Sequence, residues 1–419
     1  MKTLFINARI LTMKSADVFF GELLVEDHLI KDIGKSLSKE GVDKIIDCEG
    51  NLLMPGFKNA HAHTAMVFAR SAADDLPLHD WLFDVIFPME NKFIDGDIYH
   101  LTKCGILEYL SGGITSAFDM YFNPLEIKKA SEEMGFRNVI LATSDKEPIS
   151  LLEQRFTEFN KKDSLVTYKI GIHAEYTTSL QRIKEVANLC NKLHAGGYLH
   201  VGETESEVQG CVDRYNKRPL ELLDSVGFFN YGGGGFHCNF FSDEEIDIAK
   251  KHNINIISCP ASNLKLSSGI APLFRYQKEG LNIALGTDGA ASNNSLNMFK
   301  EMYLASCLQK VVNKDPSIMD GFEVLKMATV NGAKAMGLDN ADVLDIGKYA
   351  DIIMIDLSSP SMQPINNIAK NLVYSGSNDI IKMTMINGKI LYFNKQFSLD
   401  IDKDSIYAKT QEIARRLGK

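Results

Sequence analysis

Short apolar runs recur along the middle of the chain, spaced so that a helix fits between most neighbours. They are "LLMPGFKNAHAH" (52–63), "ITSAFDMY" (114–121), "RNVILAT" (137–143), "YKIGIHAE" (168–175), "YLHVGE" (198–203), "FNYGGGGFHC" (229–238), "INIISCP" (254–260) and "NIALGTDG" (282–289). Helix-like stretches lie at 98–111, 179–196, 242–252 and 295–312. Continuous apolar strands alternating with helices predict a parallel sheet, and eight such units predict a closed (β/α)8 barrel of the TIM type. An open doubly wound sheet is the competitor, but no GxGxxG follows an early strand.

The two ends read differently. Residues 1–54 carry "TLFINARILTM", "GELLVEDHLIKDIG" and "KIIDCEGNLLM", strand-like runs broken by Gly, Asp and Asn. Residues 346–397 repeat that texture, with a turn at Asn387-Gly388 between two runs. The pattern predicts a small β-sandwich domain assembled from 1–54 and 346–397, a catalytic barrel domain over 55–345, and a C-terminal helix over 398–419.

Composition narrows the function. A chain of 419 residues with 45 % hydrophobic and 24 % charged positions is that of an ordinary globular protein larger than one core. A net charge of −9 without a Lys/Arg cluster argues against a nucleic-acid partner. The seven cysteines are scattered with no CxxC pair, which points to reduced thiols and a cytoplasmic setting. Asn7 and Arg9 interrupt the first apolar stretch, so it makes a poor signal peptide. No run of 18 apolar residues exists, so no membrane partner is expected. The expected partner is a small molecule, with homo-oligomerisation left open.

The histidines supply the chemistry. Five of the ten fall on predicted strand ends: His61, His63, His173, His200 and His237. His28, His79, His100, His194 and His252 fall in loops or helices. In a barrel, function sits at the C-terminal ends of the strands. The period of two along a strand points His61 and His63 the same way, into the mouth. Alone, such a pair reads as an incidental surface feature; with His200 and Asp288 at other strand ends it reads as a metal site. Three histidines and one carboxylate suit one divalent ion per chain, zinc or else ferrous iron, with a position open for water. Asp288 is placed to take the first proton from that water. Glu203, just past the fifth strand, is placed to carry a proton to the substrate and on to the leaving group. The alternative for Glu203 is a helix N-terminal carboxylate. His237 is placed to hydrogen-bond the attacking water. Lys169 stands at the start of its run, not at the end where a bridging lysine would be needed, so a mononuclear site is expected.

These residues carry a resemblance. "PGFKNAHAHTAM", "DDLPLHDWLFDVIFPME", "HVGETESEV", "CPASNLKLSSGIAPL" and "GTDGAASNNSLNMFKEM" resemble the amidohydrolase superfamily, and most of all its 5-methylthioadenosine/S-adenosylhomocysteine deaminases and chlorohydrolase-like relatives. The resemblance spans almost the whole chain and implies the barrel and the sandwich. It implies metal ligands His61, His63, His200 and Asp288, with Glu203 and His237 in catalytic support. It implies that Glu90 binds the ribose hydroxyls, that His173 and the ligand His200 contact substrate, and that Trp81 covers the base or else anchors the core. The expected reaction is hydrolytic deamination of an aminopurine nucleoside (adenosine, 5′-methylthioadenosine or S-adenosylhomocysteine type) by a metal-activated water, releasing ammonia. The alternative is deamination or dechlorination of another heterocycle: guanine, a pterin or a triazine. A catalytically dead binding protein would have lost ligands, and none is missing.

Two departures stand out. The family's carboxylate-binding arginines follow the third strand, where this chain reads "LATSDKEPISLLEQRF", with Thr143 and Ser144 at the strand end and Arg155 inside a predicted helix. No rigid fork for a carboxylate is evident. The glycines of "YGGGGFHC" are expected to reshape the mouth beside His237.

Overall fold

The computed structural model describes residues 1–72, 74–141, 147–397 and 402–418. The apolar texture of the N-terminal region forms β1 (Lys2–Leu11), β2 (Val18–Glu26), β3 (Leu29–Gly34), β4 (Lys44–Asp47) and β5 (Leu52–Pro55). The middle of the chain forms β6 (Phe57–Ala62), β7 (Ile114–Met120), β8 (Arg137–Leu141), β9 (Val166–Ala174), β10 (Gly197–Val201), β11 (Gly233–His237), β12 (Ile254–Ser258) and β13 (Ile283–Leu285). The C-terminal region adds β14 (Ile352–Ile355), β15 (Ile381–Ile386), β16 (Lys389–Phe393) and β17 (Gln396–Phe397).

β6 to β13 pair in sequence order as an eight-stranded sheet whose described ladders are parallel. One backbone hydrogen bond and an Asn side chain, rather than a regular ladder, span its seam. Asp288 N–H donates to the His61 carbonyl at 2.9 Å, just beyond the end of β13. The Asn59 side chain accepts from Thr287 N–H at 2.8 Å and donates to its hydroxyl at 2.7 Å. Gly286 permits that approach, since a Cβ there would lie 2.6 Å from His61 N. The barrel is therefore nearly closed, and its seam lies beside two of the expected ligands.

The remaining strands form a mixed nine-stranded sheet in the order β17-β16-β15-β14-β5-β1-β2-β3, with β4 on β1. Its core is a separate buried cluster that includes Phe5, Ile10, Leu23, Leu53, Ile352, Met354 and Met383. The run "LLMPGFKNAHAH" divides at Gly56: β5 pairs with β14 in this sheet, and β6 starts the barrel. A buried ion pair joins the two bodies. Arg137, opening β8, donates from Nε to Asp351 Oδ2 at 2.6 Å, immediately before β14.

The helix Lys403–Leu417 follows an Asp402 cap, and Arg416 ties it back by donating to the Lys92 carbonyl at 2.7 Å. Residues 398–401 and 419 of the expected C-terminal segment lie outside the described residues. Among the described residues, no helix is long and apolar enough to cross a membrane.

The glycine run does something other than expected. Gly233 to Gly235 form the first part of β11, at the barrel floor, rather than the mouth. A Cβ on Gly233 would lie 1.9 Å from the Gly197 carbonyl oxygen, so the run lets β10 and β11 meet closely there.

Candidate active site

The C-terminal ends of four strands converge on one point. β6 delivers His61, with His63 one residue past its end; β10 delivers His200; β11 ends in His237; the turn after β13 carries Asp288. Ligand atoms of His61, His63 and His200 all lie within 4.8 Å of one another, as do those of His61, His237 and Asp288. His61 Nε2 is 3.1 Å from His200 Nε2, and His63 Nε2 is 3.2 Å from Asp288 Oδ1. His61 is fully buried, and its ring stacks on Phe236 with centroids 4.0 Å apart.

Outer partners orient these rings. His200 Nδ1 lies 2.8 Å from the His173 carbonyl and His63 Nδ1 2.5 Å from the Met120 carbonyl, so each donates outward and turns Nε2 inward. Burial and the neighbouring imidazoles push His61 and His200 well below the ordinary histidine range, so both are neutral. Burial works against both charges of the His63–Asp288 pair; even so, Asp288 raises His63, and His63 holds Asp288 well below the carboxylate range. Two neutral imidazoles facing each other at 3.1 Å, beside a pair that shares either a proton or a cation, form the donor set of a divalent metal ion. Lys169 lies far down β9 beside Gly337, away from this cluster.

Asp288 is held on every side. Its Oδ2 accepts from Ser262 Oγ at 2.6 Å and Ser292 Oγ at 3.0 Å, and its Oδ1 accepts from Gly289 N at 2.8 Å. Its backbone is left-handed (φ 59°), as are those of His237 (φ 70°) and Cys238 (φ 51°). Such conformations cost energy and cluster where surroundings must fix a side chain.

Glu203 precedes the Thr204 cap of the helix Glu205–Tyr215, and the first-turn carboxylates are Glu205 and Glu207. Its side chain instead lines the cavity. Oε1 accepts from Ser268 Oγ at 3.0 Å, and Oε2 lies 3.7 Å from His237 Nε2. Burial raises Glu203 above the usual carboxylate range. Glu207 clamps the turn by accepting from Gly202 N at 2.9 Å and Glu203 N at 2.7 Å. His237 Nδ1 donates to Asn263 Oδ1 at 2.7 Å, leaving Nε2 to face Glu203.

A cavity of about 510 Å³ opens over this cluster. His63, His173, His200, Glu203, His237 and Asp288 line its floor, and Trp81, Phe83, Phe87, Glu90, Tyr121 and Phe122 line one wall. Glu90 Oε1 accepts from the Tyr121 hydroxyl at 2.5 Å, and burial pushes the Glu90 carboxyl up to about 7. His173 Nδ1 lies 2.9 Å from Thr177 Oγ1, and burial takes the ring down to about 4. Trp81 is both buried and cavity-lining, and its indole N–H has no partner among the described residues. All nine residues expected from the sequence thus fall in or directly beneath this cavity.

Arg155 does not join them. Its guanidinium is engaged by Glu147 at 2.6 and 2.7 Å. Thr143, Ser144 and Lys146 lie outside the described residues. Sequence reasoning missed Tyr121, Ser262, Asn263 and Ser268. The last three stand in "CPASNLKLSS", where polar side chains directly after a strand end were the available signal.

The model of the amidohydrolase family matches residues 52–391. The chain is 36% identical to the 5-methylthioadenosine/S-adenosylhomocysteine deaminase of Caldanaerobacter subterraneus subsp. tengcongensis, covering 100% of this chain and 99% of that protein. It is also 36% identical to the 5′-deoxyadenosine deaminase of Methanosarcina acetivorans, covering 98% and 97%. Among solved structures, it resembles an adenosine deaminase from Xanthomonas campestris with bound zinc, at a TM-score of 0.93 and 28% identity over 99% of this chain and 98% of that one.

Proposed function

This chain belongs to the amidohydrolase family, and from that premise we propose that it hydrolyses the exocyclic amine of an adenine nucleoside with a small 5′ substituent, releasing ammonia. The observation that carries this reading is a single cavity that holds a histidine–carboxylate cluster at its floor and the Tyr121–Glu90 pair on its wall. The first suits attack on a ring carbon; the second suits ribose.

We assign His61, His63, His200 and Asp288 as the residues that hold one divalent ion, with zinc favoured by the donor set and by the zinc-bound relative. When bound, that ion supplies Lewis acidity that brings the pKa of water near neutrality. The residues do the rest. Asp288 Oδ1 accepts the water proton. His237, its Nδ1–H spent on Asn263, offers Nε2 as acceptor and orients the water towards the ring carbon. Glu203, raised by burial, donates its proton to the adjacent ring nitrogen and takes the hydroxyl proton of the adduct as the carbonyl forms. The proton that Asp288 took from the water passes to the departing amine. A C–O bond forms, the C–N bond breaks, and ammonia leaves with the transferred proton.

Glu90 accepts from the ribose hydroxyls, and Trp81 and His173 flank the base. The apolar wall of Phe83, Phe87 and Phe122 suits a methylthio group or a bare 5′ carbon. The test is ammonia release by the metal-replete enzyme on adenosine, 5′-deoxyadenosine, methylthioadenosine and guanine. Turnover of guanine with none of the nucleosides overturns the reading.

A further inference from the structure

The catalytic groups are held by residues that do not touch the cavity, and these converge on one side chain. Glu301 lies in the first turn of the helix Met298–Asn313 and is fully buried. Its Oε2 accepts from Ala261 N–H at 2.9 Å, and its Oε1 accepts from Asn293 Nδ2 at 2.8 Å. Each contact leads to the site. The residue after Ala261 is Ser262, whose hydroxyl donates to Asp288 Oδ2 at 2.6 Å. Next comes Asn263, which accepts from His237 Nδ1 at 2.7 Å and donates to Asn239 Oδ1 at 2.9 Å. Asn239 in turn donates to the Glu203 carbonyl at 2.8 Å. On the other arm, Asn293 Nδ2 also donates to the Thr287 carbonyl at 2.7 Å, in the residue directly before Asp288.

A buried carboxylate is costly unless the fold has a use for it. Here the neighbouring ammonium of Lys300 is spent on Asn293 Oδ1 at 2.8 Å. A favourable place in the helix field explains a carboxylate in the first turn. It does not explain why both oxygens are committed to segments from two other strand ends.

We propose that Glu301 is a positioning residue, which fixes the Asp288 carboxylate through Ala261–Ser262 and through Asn293, and the His237 ring through Asn263. This rests on the nucleoside-deaminase reading for its kinetic readout only. Glu301→Gln replaces one acceptor by a donor facing an N–H, so one of the two segments loses its anchor. The expected result is a fall in kcat of about tenfold to a hundredfold, with KM for methylthioadenosine within about twofold. Zinc loss to an excess of chelator, measured without substrate, is expected to quicken by at least about tenfold.

Asn297→Ala is the control. It removes the cap that accepts from Phe299 N and Lys300 N, so it lowers Tm while leaving kcat, KM and zinc loss unchanged. Combined with Ser262→Ala, Glu301→Gln costs less than it does alone, because both act through Asp288. Wild-type kcat and zinc loss in Glu301→Gln overturn the proposal, as do strict additivity with Ser262→Ala or equal losses in Asn297→Ala. If Glu301→Gln does not fold, Glu301→Asp, whose shorter stem lengthens both bonds, is read by the same split. If the wild-type enzyme turns over no nucleoside, the functional reading falls, and zinc loss still decides the role of Glu301.

Discussion

The Tyr121 hydroxyl donates to Glu90 Oε1 at 2.5 Å, which turns a half-buried carboxylate into an oriented acceptor on the cavity wall. A site built to hold a substrate hydroxyl leaves its own group unpaired when that hydroxyl is absent. Tyr121→Phe and Glu90→Gln are therefore expected to raise KM for ribosides by roughly tenfold or more, the scale of a hydrogen bond to a charged group. A 2′,3′-dideoxy analogue should not feel either change. Steady-state kinetics on both substrates check this; an equal effect on both would remove Glu90 from ribose binding.

The same carboxyl sets a pH dependence. Burial raises Glu90 to about 7, so its carboxylate form declines as pH falls through that value. The binding contribution from a two-oxygen acceptor is present above about 7 and fades below it. KM for methylthioadenosine is expected to rise on the acid side, and Glu90→Gln to flatten that limb. An unchanged acid limb in Glu90→Gln assigns it to another group.

The 5′ end gives the third prediction. Arg155 is bound by Glu147 in a two-bond fork, and it does not line the cavity. Among the described residues no arginine or lysine lines the cavity, and the amino-acid tail of adenosylhomocysteine is expected to gain little over a methylthio group. kcat/KM for methylthioadenosine or adenosine is expected to equal or exceed that for adenosylhomocysteine. A clear preference for adenosylhomocysteine contradicts this.

The joint between the two sheets gives a fourth. Against its burial, the Arg137 guanidinium holds the Asp351 carboxyl below its usual range. A carboxylate with a depressed pKa stabilises the fold above its unfolded value and loses that contribution as pH falls through the folded value. Asp351→Ala, which leaves Arg137 buried and unpaired, is expected to cost about 3–5 kcal/mol near neutrality. The difference should shrink towards strongly acid pH. Denaturant titrations at both pH values check this; equal stability near neutrality would show the pair to be dispensable.

Much of this was legible along the chain. Most barrel strands betray themselves because strands covered on both faces are largely apolar, although β6 buries Lys58 and Asn59. His61, His63, His200, His237 and Asp288 stand out as polar groups at or just past their ends. The break at Gly56 was legible only to within a residue or two, as the boundary expected at 54/55, because β5 and β6 share one run and part where they pair with different sheets. The floor role of Gly233 depends on how near β10 comes, which no local pattern records. The role of Glu301 was not legible, because its partners Ala261 and Asn293 reach it from distant turns.

Glu203 carries the proton in this account, and its buried carboxyl sits beside Ser268 without being an assigned ligand. Glu203→Gln is expected to keep its metal and lose at least about 10²-fold in kcat. Near-normal turnover at full metal content would make Glu203 structural.

The central claim is that one ion, held by His61, His63, His200 and Asp288, empowers hydrolysis of an adenine nucleoside. The direct measurement is ammonia release from methylthioadenosine by metal-stripped protein as zinc is added back. The account predicts no turnover without metal and a rise that saturates at one equivalent per chain. Full turnover in stripped protein, or a requirement for two equivalents, would contradict it.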